Sequence, residues 1–404
     1  MKSPTKGLAS MRQALPFTVL VLGFVSFFND LSSEMVVPLI PVLLATILAA
    51  GPVALGLVEG VADTVASFLK LWSGRHSDLI GGRRKGLTVI GYTVSNLARP
   101  LIAVVGSWPV LLLVRSIDRM GKGIRTAPRD ALLADSTPPE RIGFAFGYQR
   151  AMDNGGAVLG ALVAAAVLHF SGIPLEDVIL LSAIPGAVAI LLLGGGVREV
   201  RRPPNHRTPA RISLNPHHLS PHIRRYLLTL SLFTLARATE TFILLRAYQL
   251  GMDVVQVLLL WASIHAAKSS TGMGGGRLAD KLGRRPVLFI GWSAYGCNYA
   301  LFAMVESLPL LWAVALSYGL FFGFSEGAER AQINDLTTAD ERGTAFGWYN
   351  LATGISAIPA GLLFGWIWEE VGAPYAFGFS ACIAIVATTL LATWVYRGTL
   401  WRPS

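Results

Sequence analysis

Ionisable residues that could carry a proton or hold an anion recur inside the long apolar stretches of this chain. Asp30 and Glu34 lie four positions apart, as do Glu59 and Asp63, so a helix places each pair of carboxylates on one face. Two ionised carboxylates at that spacing repel each other, which favours proton binding by one of them. Charged side chains are costly inside a membrane, and they usually serve a function or pair with each other.

Further ionisable residues in these stretches supply both signs of charge. They are concentrated in the first half of the chain and are Arg99, Arg115, Asp118 and Arg119 there, with Arg237, Glu240 and Glu326 in the second half. Two interpretations are open for Glu59, Asp63 and Arg99. These residues form either a static salt-bridge network or part of a functional pathway.

The composition predicts a membrane protein. The chain has 404 residues, of which 53% are hydrophobic and only 14% are charged, whereas a soluble domain carries about 25% charged residues. The formal net charge of +10 comes from bases in short breaks between apolar runs. We therefore expect the lipid bilayer, and no nucleic acid, as a partner. Cys297 and Cys382 have neither disulfide nor metal-site spacing, and no cofactor is expected.

Apolar stretches long enough to cross a bilayer, which takes about 20 helical residues, occur twelve times. They lie at roughly 16–48, 54–73, 86–106, 109–126, 142–169, 175–196, 226–247, 253–275, 287–305, 309–327, 343–367 and 376–396. The connections alternate between basic segments, one of them holding Lys122, Arg125, Arg129 and Arg141, and segments without Lys or Arg. Because positive charge marks the cytoplasmic side, both termini are predicted to be cytoplasmic.

The chain also divides into two related halves. The predicted domains are an N-terminal six-helix bundle at 1–197, a basic cytoplasmic linker at 198–225 and a C-terminal six-helix bundle at 226–404. A shift of 200 residues aligns Asp135 with Asp335 and the Gly-x-Ala-Phe-Gly run at 143–147 with that at 343–347. Parallel repeats with a substrate site at their interface are a transporter architecture. The predicted fold is all-α, with twelve transmembrane helices in two parallel-repeat bundles.

The stretch "GRLADKLGRR" at 276–285 resembles the signature loop of the major facilitator superfamily. It has the Gly, Leu, Asp, Lys, Gly and paired Arg of that loop, and it lies between spans eight and nine. A second copy between spans two and three departs from the pattern at Leu79 and by the additional Gly82. The resemblance covers the whole chain, and the stretch 118–136 is similar to one branch of bacterial permeases in this superfamily.

The resemblance implies roles for both sets of residues. The Asp of each loop grips the opposite half and closes the cytoplasmic side, and the implied gating-loop residues are Gly74, Asp78, Arg83, Arg84, Gly276, Asp280, Gly283, Arg284 and Arg285. Spans one, four, seven and ten line the central cavity. The implied substrate and proton pathway therefore contains Asp30, Glu34, Arg115, Asp118, Arg119, Arg237, Glu240 and Glu326.

The implied function is secondary transport by a monomeric protein of the bacterial inner membrane, not enzymatic catalysis. The sequence has no ATP-binding motif, so an ion gradient or the substrate's own gradient must supply the energy. The favoured interpretation is proton-coupled export, by antiport, of a small organic molecule. Proton-coupled uptake of an organic acid, held by Arg115 and Arg119, is the alternative within transport. A membrane receptor without transport is the alternative of another class.

Overall fold

The computed structural model of the chain describes the backbone of residues 15–79, 84–197, 199, 219–337 and 342–396. Side chains are described across these ranges except at 78, 272–281, 323–327, 330, 331, 334, 342 and 343. Within these ranges the chain is almost entirely helical and forms no strand.

Helices run through each of the twelve stretches that the sequence predicts as spans, and we number them in chain order. They are α1 (Phe17–Thr46), α2 (Pro52–Leu79), α3 (Lys85–Val104), α4 (Trp108–Asp135), α5 (Ile142–Ser171), α6 (Leu175–Gly196), α7 (Pro221–Gln249), α8 (Val254–Leu282), α9 (Arg284–Ala303), α10 (Leu308–Leu336), α11 (Arg342–Glu370) and α12 (Ala373–Val395). In the described ranges, eight are long and apolar enough to cross a membrane, and α10 adds a shorter apolar stretch. The predicted all-α membrane fold is confirmed, and the count of twelve crossings stays a prediction.

Helices α1 and α7 are each interrupted within their length. In α1, a 3-10 turn at Val37–Leu39 contains Pro38, which lacks the N–H of a regular helix and clashes with the preceding turn. In α7, the interruption between Ala236 and Thr241 contains no proline, and the backbone of Arg237 leaves the helical region at ψ 68°. Interrupted helices line binding sites in transporters, so α1 and α7 are placed to contribute to a site.

The start of α7 lies inside the stretch predicted as the linker. The side chain of Ser220 accepts a hydrogen bond of 3.4 Å from the Ile223 N–H, and Pro221 follows at the first helical position. Both features are typical of helix starts. The helix therefore begins at Pro221 rather than at 226, while 198 and 200–218 lie outside the described residues.

Helices of the two halves touch most closely where α2 meets α11. Gly56 and Gly361 face each other, and a Cβ on either would collide with the carbonyl group of the other. In the same interface, Thr64 Oγ1 donates a hydrogen bond of 2.6 Å to the Gly354 carbonyl oxygen. Small residues allow backbones to approach in this way. Helices α5 and α8 form a second contact between the halves.

The apolar core shows at which end the halves meet. One cluster contains buried residues of both halves, among them Leu39, Leu244 and Phe364. A second cluster, which includes Val19 and Leu132, draws only on the N-terminal half. The halves therefore share a core at the end of the α1–α2 connection, whereas the N-terminal half has a core of its own at the end of the α4–α5 connection.

Candidate functional site

Arg115 is the centre of a buried ion-pair network in the N-terminal half. Its Nε and Nη2 donate hydrogen bonds of 3.0 and 3.1 Å to the two carboxylate oxygens of Glu59, and its Nη1 donates one of 2.8 Å to Asp118. Arg115 is 0% exposed and Glu59 is 2% exposed. Two parallel hydrogen bonds to one carboxylate use the planar guanidinium fully. All three guanidinium nitrogens of Arg115 therefore donate hydrogen bonds to carboxylates of the protein.

Arg99 extends this network from α3. Its Nη2 donates to Asp118 at 3.1 Å, and its Nη1 donates to Ser32 at 2.7 Å and to Asn96 at 2.9 Å. Buried charges are tolerated when they are paired and hydrogen-bonded in this way. The contacts favour the salt-bridge interpretation for Glu59 and Arg99. They also place Arg115 and Asp118, which the sequence assigns to the pathway, within the same network.

Arg119 and Asp63 lie at the edge of the network. Arg119 Nη2 is 3.6 Å from Glu59 Oε2, and Arg119 Nε is 3.8 Å from Asp63 Oδ1. The side chain of Asp63 is 52% exposed, whereas that of Arg119 is 14% exposed. Along α2 and α4, the ion pairs thus change from buried, hydrogen-bonded contacts to longer contacts that are partly exposed.

Asp30 and Glu34 differ in what they contact. Asp30 accepts a hydrogen bond of 2.8 Å from Asn29 Nδ2 within α1. Glu34 accepts one of 2.8 Å from Trp261 Nε1 of α8, so its carboxylate reaches the opposite half. Both side chains are partly buried. The interruption of α1 begins three residues after Glu34.

Arg237 and Glu329 form a corresponding ion pair in the C-terminal half. Arg237 Nη1 donates to both carboxylate oxygens of Glu329 at 3.0 Å, and Trp292 Nε1 donates to one of them at 3.1 Å. Sequence analysis missed Glu329 because the predicted tenth span ends at 327, whereas α10 continues to Leu336. Arg237 in an apolar stretch requires an acid, and that was the available signal. Glu326 lies three positions earlier, and its side chain lies outside the described residues.

Glu240, the last residue of the interruption of α7, is bound to Lys268 of α8. The two form an ion pair, and Tyr318 donates a hydrogen bond of 2.7 Å to the same carboxylate. The Lys268 ammonium lies 4.4 Å from the centre of the Phe322 ring, within the range of a cation–π interaction. Sequence analysis placed Glu240 on the pathway and did not find its partner.

A small cavity lies between the halves beside these groups. Its lining comes from three helices and consists of Glu59, Gly60 and Asp63 of α2, Arg237 and Thr239 of α7, and Ala357 and Gly361 of α11. Acidic groups of one half therefore share a cavity with a cation of the other half. Among the described residues, no group of three or more His, Cys, Asp or Glu side chains could hold a metal ion.

The two loops predicted to gate the protein make equivalent ion pairs. Arg84 pairs with Asp135, and Arg284 pairs with Asp335. Each pair joins the start of one helix to the end of the next within the same half. The 200-residue shift aligns the two aspartates, but sequence analysis assigned no role to them. We find that the arginine end of each loop binds its own half.

The structure describes only some of the other residues predicted for the gating loops. Gly283 has φ 85°, a backbone conformation that favours glycine, and Arg285 lies over the Tyr396 ring at 5.4 Å. Gly74 lies against α4, where an added Cβ would be 3.2 Å from the Ala127 Cβ. The residues or side chains that lie outside the described part are Asp78, Arg83, Gly276 and Asp280. The contacts of Asp78 and Asp280 with the opposite half stay a prediction.

Helix α4 carries three cations that sequence analysis placed in a connection. The predicted fourth span ends at 126, so Lys122 and Arg125 lie in its last turns and Arg129 lies beyond it, and α4 continues past all three. Arg125 is 4% exposed and lies 4.4 Å from the centre of the Tyr92 ring, and Arg129 is 2.9 Å from Asp130. Arg125 and Arg129 therefore have partners beside them on a helix that extends beyond the predicted apolar stretch. Their assignment to a connection was wrong.

Comparison with known proteins agrees with this architecture. The family model of the Major Facilitator Superfamily matches residues 22–269 and 249–404. An uncharacterised MFS-type transporter of Methanocaldococcus jannaschii is 32% identical over 382 residues, which cover 92% of this chain and 94% of that protein. The class B tetracycline resistance protein of Escherichia coli is 30% identical over 124 residues, which cover 31% of this chain and 30% of that protein. A crystal structure of the nucleoside transporter NupG has a TM-score of 0.77 at 15% identity and covers 96% of this chain and 100% of that one.

Proposed function

This chain belongs to the major facilitator superfamily, a family of multi-pass membrane transporters and not of enzymes, and we propose that it exports a small organic molecule in exchange for protons. Its two halves would rock about a site between them, so that the site opens to one side of the membrane at a time. The observation that carries this proposal is the cavity between the halves, which Glu59 and Asp63 share with Arg237 of the other half.

The proposed coupling groups are the carboxylates of α1. Glu34 connects α1 to Trp261 of α8 across the two halves, and an ionised carboxylate accepts a stronger hydrogen bond than a neutral one. Gain or loss of a proton at Glu34 therefore changes how strongly the halves are held together. Asp30 lies one helical turn away on α1 and is the second candidate.

Export is the direction that the similarity to a tetracycline resistance protein supports. The second candidate is proton-coupled uptake of an organic acid. It is favoured by Arg119, whose two ion-pair contacts are longer than 3.5 Å. Arg115, the other arginine considered for this role, is bound to Glu59 and Asp118.

The proposed setting is the inner membrane of a bacterium, with a monomeric protein and cytoplasmic termini. The support is the distribution of bases in the sequence, which leaves one set of connections without Lys or Arg. In this setting the substrate is exchanged for protons, which move down their gradient across the membrane.

The proposal is tested with the purified full chain in proteoliposomes, supplied with a panel of labelled organic compounds. We expect at least one compound to be concentrated when a pH gradient is imposed and to equilibrate without one. Inverting the gradient should invert the direction of accumulation. If imposed pH gradients change neither the rate nor the extent of movement of any compound that the liposomes take up, proton coupling is wrong.

A further inference from the structure

Two cations of α4, Arg119 and Lys122, lie on the side of the helix that faces the interior of the N-terminal half. At about 100° of rotation per residue, Lys122 lies roughly 200° around the helix from Met120, whose side chain is exposed, as is that of Leu113 one heptad earlier. Lys122 follows Arg115 by the same heptad interval and so shares the face that carries the buried network. The side chain of Lys122 is nonetheless exposed. An exposed residue on an inward face lines an open space inside the protein.

The ammonium of Lys122 is near acids but is not paired with one. Asp30 of α1 and Asp63 of α2 act on it electrostatically, as do the neighbouring cations Arg119 and Arg125. In the described part of the chain, no carboxylate lies within 4.0 Å of Lys122. All three hydrogen-bond donors of the ammonium are therefore open to a mobile group.

Arg119 has open donors for a different reason. Both carboxylate oxygens of Glu59 already accept hydrogen bonds from Arg115, so Arg119 makes only the 3.6 Å and 3.8 Å ion-pair contacts to Glu59 and Asp63. Its Nε is buried without a hydrogen-bond partner. Such distances are beyond the range of a hydrogen bond to a charged acceptor.

Three other cations around the interior are engaged differently. Arg115, Arg237 and Lys268 each bind a carboxylate at hydrogen-bonding distance. Arg119 and Lys122 lie three positions apart, which makes them neighbours on the helix surface. Two like charges at that spacing repel each other, and an anion bound between them relieves the repulsion.

We infer that Arg119 and Lys122 form the binding site for an oxyanion group of the transported molecule, either a carboxylate or a phosphate. The inference rests on the proposed transport function and names its substrate class as organic anions. Arg119 supplies a planar pair of donors, and Lys122 supplies a compact point charge. Asp30 and Asp63 act electrostatically on Lys122 and weaken the attraction without pairing with it.

The test measures binding to the purified full chain in detergent by the shift in unfolding temperature. The probes are matched pairs, namely benzoate with benzamide, succinate with succinamide, and glycerol 3-phosphate with glycerol. We expect at least one anion to stabilise the protein when its neutral counterpart does not. The carboxylate and phosphate pairs distinguish the two sources of the oxyanion.

The variants Lys122→Gln and Arg119→Gln should each bind that anion about ten-fold more weakly or worse, the effect of losing one charge-assisted hydrogen bond. Lys122→Arg should restore binding. The matched control is Lys85→Gln, which removes the same charge from a lysine that donates to the Gly194 carbonyl oxygen, and it should bind as the unaltered protein does. The inference is overturned if no anion stabilises the protein beyond its neutral counterpart, or if Lys85→Gln weakens binding as much as Lys122→Gln. Binding needs no transport, so this result is independent of the liposome experiment.

Discussion

Glu369 near the end of α11 accepts a hydrogen bond of 3.2 Å from the backbone N–H of Val53 in the first turn of α2 and so joins the two halves. The first N–H groups of a helix have no partner within the helix and carry partial positive charge. A carboxylate at that position therefore satisfies a donor and also interacts favourably with the helix dipole. This contact lies at the end where the halves share their core.

The first prediction concerns this contact. Glu369→Gln removes the charge, and we expect it to shift the equilibrium towards separation of the halves at this end by about two- to five-fold. The measurement is the rate at which a cysteine introduced by Val53→Cys is labelled in the altered and unaltered backgrounds. The neighbouring Glu370→Gln removes the same charge and should leave the rate unchanged. Equal rates in all three proteins would show that the contact does not hold the halves together.

A second prediction follows from the closed pairing of Glu59 with Arg115. Glu59→Gln removes one of the two carboxylates that pair with the buried Arg115 guanidinium and leaves only Asp118 as its counter-ion, and breaking a buried ion pair costs about 3–5 kcal/mol of stability. We expect a clear fall in the thermal unfolding temperature of the detergent-solubilised protein. Asp63→Asn, one turn further along α2 and half exposed, is the matched control and should change it little. Similar unfolding temperatures for both variants would contradict the assignment of Glu59 to a structural network.

The third prediction uses the backbone contact of α2 with α11. A Cβ at Gly56 would collide with the Gly361 carbonyl oxygen, so Gly56→Ala must push the helices apart. We expect a lower unfolding temperature and slower transport. Gly86→Ala is the control, because nothing lies within 4 Å of a Cβ added at that position of α3. Normal activity of Gly56→Ala would mean that the two helices tolerate a wider spacing.

The helices and several of the charged residues could be predicted from sequence, but the partners of the charges could not. Apolar stretches and proline positions are local properties, and the 3-10 turn of α1 contains Pro38. Pairing depends on which helices become neighbours, and Arg237 and Glu329 are 92 positions apart. Sequence analysis therefore found Arg237 and missed its acid.

The cations of α4 show a second limit of sequence reasoning. A positive cluster after an apolar run is typical of a cytoplasmic connection, and Lys122 and Arg125 fit that pattern. Yet Arg125 is buried against Tyr92, because the tertiary structure supplies partners that hydropathy ignores. The same error concealed Lys122, whose exposure on the interior side of α4 becomes apparent only from the packing of that helix.

The fourth prediction concerns topology. In a background without Cys297 and Cys382, Thr208→Cys in the linker should react only with a reagent that crosses the membrane. Ala49→Cys, in the connection between α1 and α2, should react with an impermeant reagent added outside intact cells. The reason is the excess of Lys and Arg in the first segment and its absence from the second. Labelling of the linker cysteine from outside would reverse the proposed orientation.

The last prediction assigns proton coupling to α1. Asp30 and Glu34 lie on one face of that helix, and Glu34 holds Trp261 of the opposite half. If a proton on either carboxylate is tied to the relative position of the halves, Asp30→Asn and Glu34→Gln fix the neutral form and break that tie.

We expect both variants to lose accumulation driven by a pH gradient while they still exchange substrate down its own gradient, because exchange requires the rocking motion but no net proton movement. The measurement is accumulation and exchange of the same labelled compound in matched proteoliposomes. Glu306→Gln removes a carboxylate from the connection between α9 and α10 and should behave as the unaltered protein in both assays. Accumulation at the unaltered level by both single variants and by the double variant would place the coupling proton elsewhere, with Glu240 and its partner Lys268 as the next groups to replace.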